Sequence, residues 1–202
     1  MGDGRTRLLE AATRLIREQG FAATSVDAIC REAGVTKGAF FHHFPSKQAL
    51  GVAAAENWAE VTGRLFAEAS YHEPADPLDR VFAYIDFRRS LLAGEIADYT
   101  CLVGTMVQEA HGLAPIREAC GASIFGHAGT LEADIAAAMA ARRVAGFEAA
   151  SLARHMQAVL QGAFILAKAG GGAAAVEDAL DHLKRYIGLL FTSPAQPGSD
   201  PN

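Results

Sequence analysis

The stretch Thr24-Ser25-Val26-Asp27-Ala28-Ile29-Cys30-Arg31-Glu32-Ala33-Gly34-Val35-Thr36-Lys37-Gly38-Ala39-Phe40-Phe41-His42-His43-Phe44-Pro45-Ser46-Lys47 decides the fold. It reads as two short helices around a tight turn. Val26, Ile29 and Ala33 share one helical face, and Thr24 with Asp27 three residues later has the spacing of a capping box, in which hydroxyl and carboxylate satisfy free helix-start amides. Gly34 stops that helix. Thr36 caps the next, which runs through Phe40 and Phe41 and closes at Phe44-Pro45, because proline cannot continue a helix and disfavours helical geometry in the residue before it.

The helical period extends in both directions. Leu8, Ala12, Leu15 and Ile16 mark a first helix that ends at Gly20. Ser46 caps a fourth, whose inward stripe reads Leu50, Ala54, Trp58, Val61 and Leu65. Asp76-Pro77 sets a cap before a first-turn proline, ahead of Leu78, Val81, Phe82, Ile85 and Leu92. Helices are expected at 97–110 and 114–141, the second open to breakage at Gly121, Gly126 or Gly129. Leu152, Met156, Val159, Ala163 and Ala167 mark one late helix; after a turn at Gly170-Gly171-Gly172, Val176, Leu180, Leu183, Ile187 and Leu190 mark another. Pro194, Pro197, Gly198, Ser199 and Pro201 give 193–202 the composition of a disordered tail. The fold class expected is all-α: a three-helix domain over 1–48, then a larger helical domain over 49–192.

Composition narrows the function. The 202 residues are half apolar and one-fifth charged, which argues against a wholly disordered chain. The start lacks an apolar signal core and no apolar run reaches the roughly 18 residues that cross a bilayer, so a cytoplasmic protein with no membrane partner is expected. Cys30, Cys101 and Cys120 are widely spaced with no CxxC pair, which indicates neither a disulfide framework nor a zinc site. Residues 1–50 hold seven Lys/Arg against five Asp/Glu, while 51–202 hold eleven against eighteen, recovering the net charge of −5. A polyanion is therefore met by the front end.

A helix, a tight turn and a very short second helix make a helix-turn-helix, in which the second element lies in the major groove of duplex DNA. That groove is about 12 Å wide and admits one helix. Thr36, Lys37 and Gly38 fall at its DNA-facing end, the glycine permitting close backbone approach, followed by His42 and His43. Thr24 and Ser25 open the preceding helix, whose free amides can hold a phosphate, and Lys47 opens the fourth in the same way.

Residues 8–50 resemble the DNA-binding domain of the TetR family of transcriptional regulators. The family pattern Gly-Val-(Ser/Thr)-x-Gly-x-(Leu/Phe)-Tyr-x-(His/Tyr)-Phe-x-x-Lys is met from Gly34 to Lys47 at every named place but one, where Phe41 replaces tyrosine. The resemblance implies phosphate roles for Thr24, Ser25 and Lys47, groove contacts for Thr36, Lys37, Gly38, His42 and His43, and loss at Phe41 of a hydroxyl that commonly touches the DNA backbone. It also implies a helical ligand-binding and dimerisation domain, with homodimers pairing through 150–169 and 174–191 on a near-palindromic operator. A small, largely apolar or electrophilic effector would release the DNA, most such proteins being repressors.

Competing readings apply to several residues. Phe40 and Phe44 are core, and Lys37 and Lys47 can be plain solvated lysines. Adjacent His42 and His43 diverge on a helix and lack a partner at i+4, so no metal and no cofactor is expected. Trp58 is read as packing rather than as cavity lining. Phe82, Phe87, Met106, His111, Phe125 and Met156 are candidate effector-pocket walls or plain core. Cys101 sits in a segment similar to one that carries a sensing cysteine in some TetR-type regulators; the other reading is a small residue lining the core, favoured because Asp98 opposes thiolate formation. GxSxG, HExxH, GxGxxG and P-loop motifs are all missing, so catalysis is not expected. The rival function is a helical small-molecule carrier or partner-binding module without DNA-binding activity.

Overall fold

The computed structural model describes residues 3–192, so the expected tail at 193–202 lies outside the described residues. Within them the chain forms α1 (Gly4–Gln19), α2 (Val26–Ala33), α3 (Lys37–His43), α4 (Lys47–Ala67), α5 (Pro77–Ser90), α6 (Ile96–Tyr99), α7 (Leu102–Ala110), α8 (Ala114–Gly129), α9 (Glu132–Arg142), α10 (Ala149–Leu166) and α11 (Gly172–Thr192), with no strand.

Most starts follow their caps. Thr36 Oγ1 accepts from the Ala39 amide at 3.1 Å, Ser46 Oγ from Ala49 at 3.0 Å and Asp76 from Leu78 at 2.8 Å, with Pro77 opening α5. The cap of α2 is Ser25, whose Oγ accepts from Ala28 at 3.1 Å; this corrects the expected Thr24–Asp27 capping box. Gly34 ends α2 at φ 62°, a left-handed conformation that favours glycine. The expected helix at 97–110 is divided because Thr100 and Cys101 are extended. The freed Thr100 carbonyl accepts from Arg17 Nε of α1 at 2.8 Å, and Cys101 Sγ caps α7 by accepting from Gly104 at 3.4 Å.

Among the described residues the chain divides into two compact units, 3–68 with 92–127, and 69–91 with 128–192. The first runs past residue 48 because the front helices do not close a core alone. Leu8, Ile16, Ile29, Phe40 and Leu50 share one buried cluster with Leu102 and Met106 of α7 and Ile116 and Cys120 of α8. The outer half of the expected α4 stripe is exposed instead: Val61 and Leu65 face solvent, while Leu50 and Ala54 are buried.

In the second unit, Leu78, Val81 and Ile85 of α5 are buried with Ile135 of α9, Met156 and Leu160 of α10, and Leu180, Leu183 and Ile187 of α11. The buried Gln157 donates to the Tyr84 hydroxyl at 3.1 Å, and Arg80 of α5 pairs with Asp134 of α9 at 2.7 Å. Ala149–Thr192 does contain an 18-residue window of mean hydropathy 1.4, correcting the expectation that no apolar run is that long. It is not one straight helix: Gly170 at φ 117° breaks it between α10 and α11.

Candidate nucleic-acid interface

The short helix α3 is seated by one side and presents the other. Phe40 is fully buried and packs edge-on near Phe41 at 5.2 Å and tilted against Phe44 at 6.0 Å between ring centroids. Thr36, Lys37, Gly38, Phe41 and His42 are exposed, and His43 is half-buried. A Cβ added at Gly38 would meet only Thr36 Oγ1, at 3.8 Å, so nothing within the chain requires a glycine there. Seven residues at about 1.5 Å each make a rod of about 10 Å, commensurate with a groove of about 12 Å.

Lys37 Nζ pairs with Asp27 at 2.8 Å, and hydrogen bonding to that carboxylate, then its charge, raises the pKa of the lysine. Both side chains are mostly exposed, so solvent screens this bridge and it exchanges readily for another anion.

Two residues assigned phosphate roles are occupied elsewhere. Thr24 is fully buried; its hydroxyl donates to Gly20 O at 2.7 Å and accepts from Gln19 Nε2 at 3.3 Å, so its side chain does not reach the surface. Ser25, one residue on, is exposed at the start of α2. Lys47 is half-buried; Nζ donates to Phe21 O at 2.7 Å and Ala22 O at 3.2 Å and lies 4.5 Å from the Phe21 ring centroid. On the same loop, Glu109 of α7 accepts from the Ala22 amide at 2.7 Å. The α1–α2 loop is thus clasped from α4 and from α7. Burial lowers the pKa of Lys47, and the charge of Glu109 partly restores it. Sequence reasoning missed Glu109, and also Arg7, which donates to Ala33 O at 3.1 Å and Gly34 O at 3.4 Å across the end of α2; no local spacing marks either residue.

The candidate effector walls fall in both units. Met106 is buried and Cys101 half-buried in the first unit, where His111 and Phe125 are exposed. In the second unit Met156 is buried and Phe87 half-buried, while Phe82 borders an open cleft of about 330 Å³ shared with Asp181, Lys184 and Arg185. Trp58 packs as expected against a partner, with the Arg17 guanidinium 4.8 Å from its ring centroid. Burial, with a smaller contribution from Cys101, pushes the Cys120 thiol up to about 11.

Residues 8–54 match the family described as bacterial regulatory proteins, tetR family. The chain is 29% identical over 121 residues to the uncharacterized HTH-type transcriptional regulator YxaF of Bacillus subtilis, an alignment covering 59% of this chain and 63% of that one. Across the first three curated relatives it spans 19% to 63% of their lengths. A TetR-family regulator from Agrobacterium tumefaciens superposes with TM-score 0.80 at 24% identity, over 91% of this chain and 97% of that one. The reduced form of Escherichia coli NemR superposes with TM-score 0.78 at 25% identity, over 91% and 96%.

Proposed function

Because this chain belongs to the tetR family of bacterial regulatory proteins, with its DNA-binding helix-turn-helix at residues 8–54, we propose that it is a cytoplasmic one-component repressor that holds operator DNA as a homodimer and releases it when a small molecule binds. The observation that carries the reading is the uncovered outer face of α3, where Thr36, Lys37, Gly38 and His42 are exposed around a position with room for a side chain that the chain leaves empty.

Each part has a physical role. Gly38 lets backbone approach the base edges, Lys37 leaves Asp27 for the DNA, and His42 and His43 supply further donors. Ser25 and the amides that open α2 hold a phosphate, which fixes register without reading sequence. Lys47 and Glu109 act through the loop they clasp. Ile165, Leu166, Tyr186 and Leu189 are large apolar side chains exposed on α10 and α11, which supports pairing of two copies through these helices. A twofold pair with recognition helices about 34–36 Å apart reads successive major grooves of a near-palindromic site. An effector that favours the non-binding conformer by about 1–3 kcal/mol lowers DNA affinity about 5- to 150-fold. Repression follows when the site overlaps a promoter.

Selection of duplexes from a random pool tests this reading. The parent chain should enrich an inverted repeat and Lys37→Ala should lose it; a parent that enriches none defeats the proposal. An electrophilic effector has a narrower test, since Cys101 stands half-buried at the N-terminal cap of α7. If an oxidant releases the DNA equally from the parent and Cys101→Ser, Cys101 is not the sensor.

A further inference from the structure

The seven cations of residues 1–50 are not equally available to DNA, and sorting them by partner leaves a residue that the family pattern does not include. Arg7 is committed to the Ala33 and Gly34 carbonyls, Arg17 to the Thr100 carbonyl, and Lys47 to the Phe21 and Ala22 carbonyls. Arg14 pairs with Glu18 and Glu32, both at 3.0 Å, and Lys37 with Asp27. Arg5 and Arg31 are exposed, with no carboxylate or carbonyl acceptor on either side chain among the described residues. No described contact ties Arg31 to α3. Arg5, in contrast, is fixed at the far end of that helix: its guanidinium carbon lies 5.5 Å from the centroid of the Phe44 ring, and Phe44 ends α3.

The neighbouring residue gives the same placement independently. A Cβ built on Gly4 would lie 3.1 Å from His43 Nε2, so the first turn of α1 abuts the last turn of α3. Asp3, two residues before Arg5, is turned onto its own helix and accepts from the Thr6 amide at 3.0 Å; that bond, ahead of smaller contributions, holds its carboxyl below the ordinary range.

We propose that Arg5 is a DNA-positioning residue that binds a backbone phosphate at the His43 end of α3, across the major groove from the phosphate held at the start of α2. The proposal rests on the DNA-binding reading above. A rod of about 10 Å set in a groove of about 12 Å brings each of its ends to one sugar–phosphate wall. Ser25 and Lys37 serve the wall at the start of α3. At the other end, among the cations of 1–50, Arg5 combines a free fork of donors with a fixed position. A guanidinium presents that fork to phosphate in a matching plane, and stacking on Phe44 limits the side-chain freedom lost on binding.

The test is the salt dependence of binding to the duplex that the parent enriches and to a scrambled duplex of equal length. Each phosphate contact contributes about 0.9 to the slope of log K against log salt, so Arg5→Gln should lower the slope of a twofold assembly by about 1.8 and weaken both duplexes alike. Arg5→Lys should restore most of the slope, because charge is retained. Arg14→Gln, which removes an exposed cation already balanced by two carboxylates, should leave the slope unchanged. Unchanged folding of Arg5→Gln is checked by its urea midpoint. An unaltered slope in Arg5→Gln, with the parent binding normally, overturns this inference alone. An equal loss in Arg14→Gln overturns it as well, since the effect is then one of general charge. Failure of the parent to bind either duplex overturns the functional reading, and this inference with it.

Discussion

Replacing Lys47 by methionine separates two roles that the residue cannot hold at once. The thioether chain keeps the apolar stem and removes the ammonium, which bonds two carbonyls of the α1–α2 loop, at 2.7 Å and 3.2 Å, and faces the Phe21 ring. A hydrogen bond from a charged donor contributes about 1.5–3 kcal/mol, and the cation–π contact about 0.5–1 kcal/mol when exposed. Two facts reduce the total: the longer bond is exposed, and burial already lowers the lysine pKa despite Glu109, so the charged form is partly penalised. A net loss of about 1.5 kcal/mol is expected, and for a chain of this size about 2–4 °C of melting temperature per kcal/mol gives a fall of about 3–6 °C. Thermal melts of parent and variant read that shift. The salt slope of DNA binding by Lys47→Met should match the parent, because the ammonium is spent on the loop. An unshifted melting temperature together with a slope lowered by about 1.8 would refute the reasoning and return Lys47 to the DNA backbone.

Other substitutions probe the core and the interface. Phe40→Ala, at a fully buried position between Phe41 and Phe44, should cost about 3–5 kcal/mol in urea denaturation and loosen α3. Gly51→Ala places a Cβ 2.8 Å from Phe21 Cε2 and 3.3 Å from Met106 Cε, and should destabilise by about 1–3 kcal/mol; a neutral result would mean that the Phe21 ring moves freely. Phe41→Tyr adds a hydroxyl to an exposed ring on the outer face of α3 and should tighten operator binding by about 1 kcal/mol per half-site, roughly fivefold, in a titration of labelled duplex. The Cys120 thiol keeps its proton up to about 11 when folded, against 9.0 in the open chain, so its contribution is full below about pH 9 and is lost as pH rises toward 11. Urea midpoints from pH 8 to 10.5 should therefore fall more steeply for the parent than for Cys120→Ala, and parallel curves would contradict the assignment.

How much was legible beforehand depended on the range of the interaction. Thr36, Ser46 and Asp76 were readable as caps because each bonds an amide two or three residues ahead. The cap of α2 slipped by one residue because Thr24 and Ser25 both carry suitable hydroxyls. The carbonyl of Gly20, four residues back, chose between them: it accepts the Thr24 hydroxyl, which is buried, and leaves Ser25 at the surface. The helix expected at 97–110 held no glycine or proline where it divides, and its division at Thr100 coincides with a bond from Arg17, 83 residues earlier.

From its residues alone the chain determined an all-helical fold, a helix-turn-helix between Ser25 and His43, and the exposed character of Thr36, Lys37 and His42, since periodicity, capping and glycine stops act within one or two turns. Tertiary structure alone decided which cations remain for a polyanion. Arg7 and Lys47 find their carbonyls 25 to 27 positions away, and Ala22 meets Glu109 across 87. Backbone oxygens carry no mark of residue type, so a side chain's capture by one of them becomes visible only when the chain has folded and brought the two together.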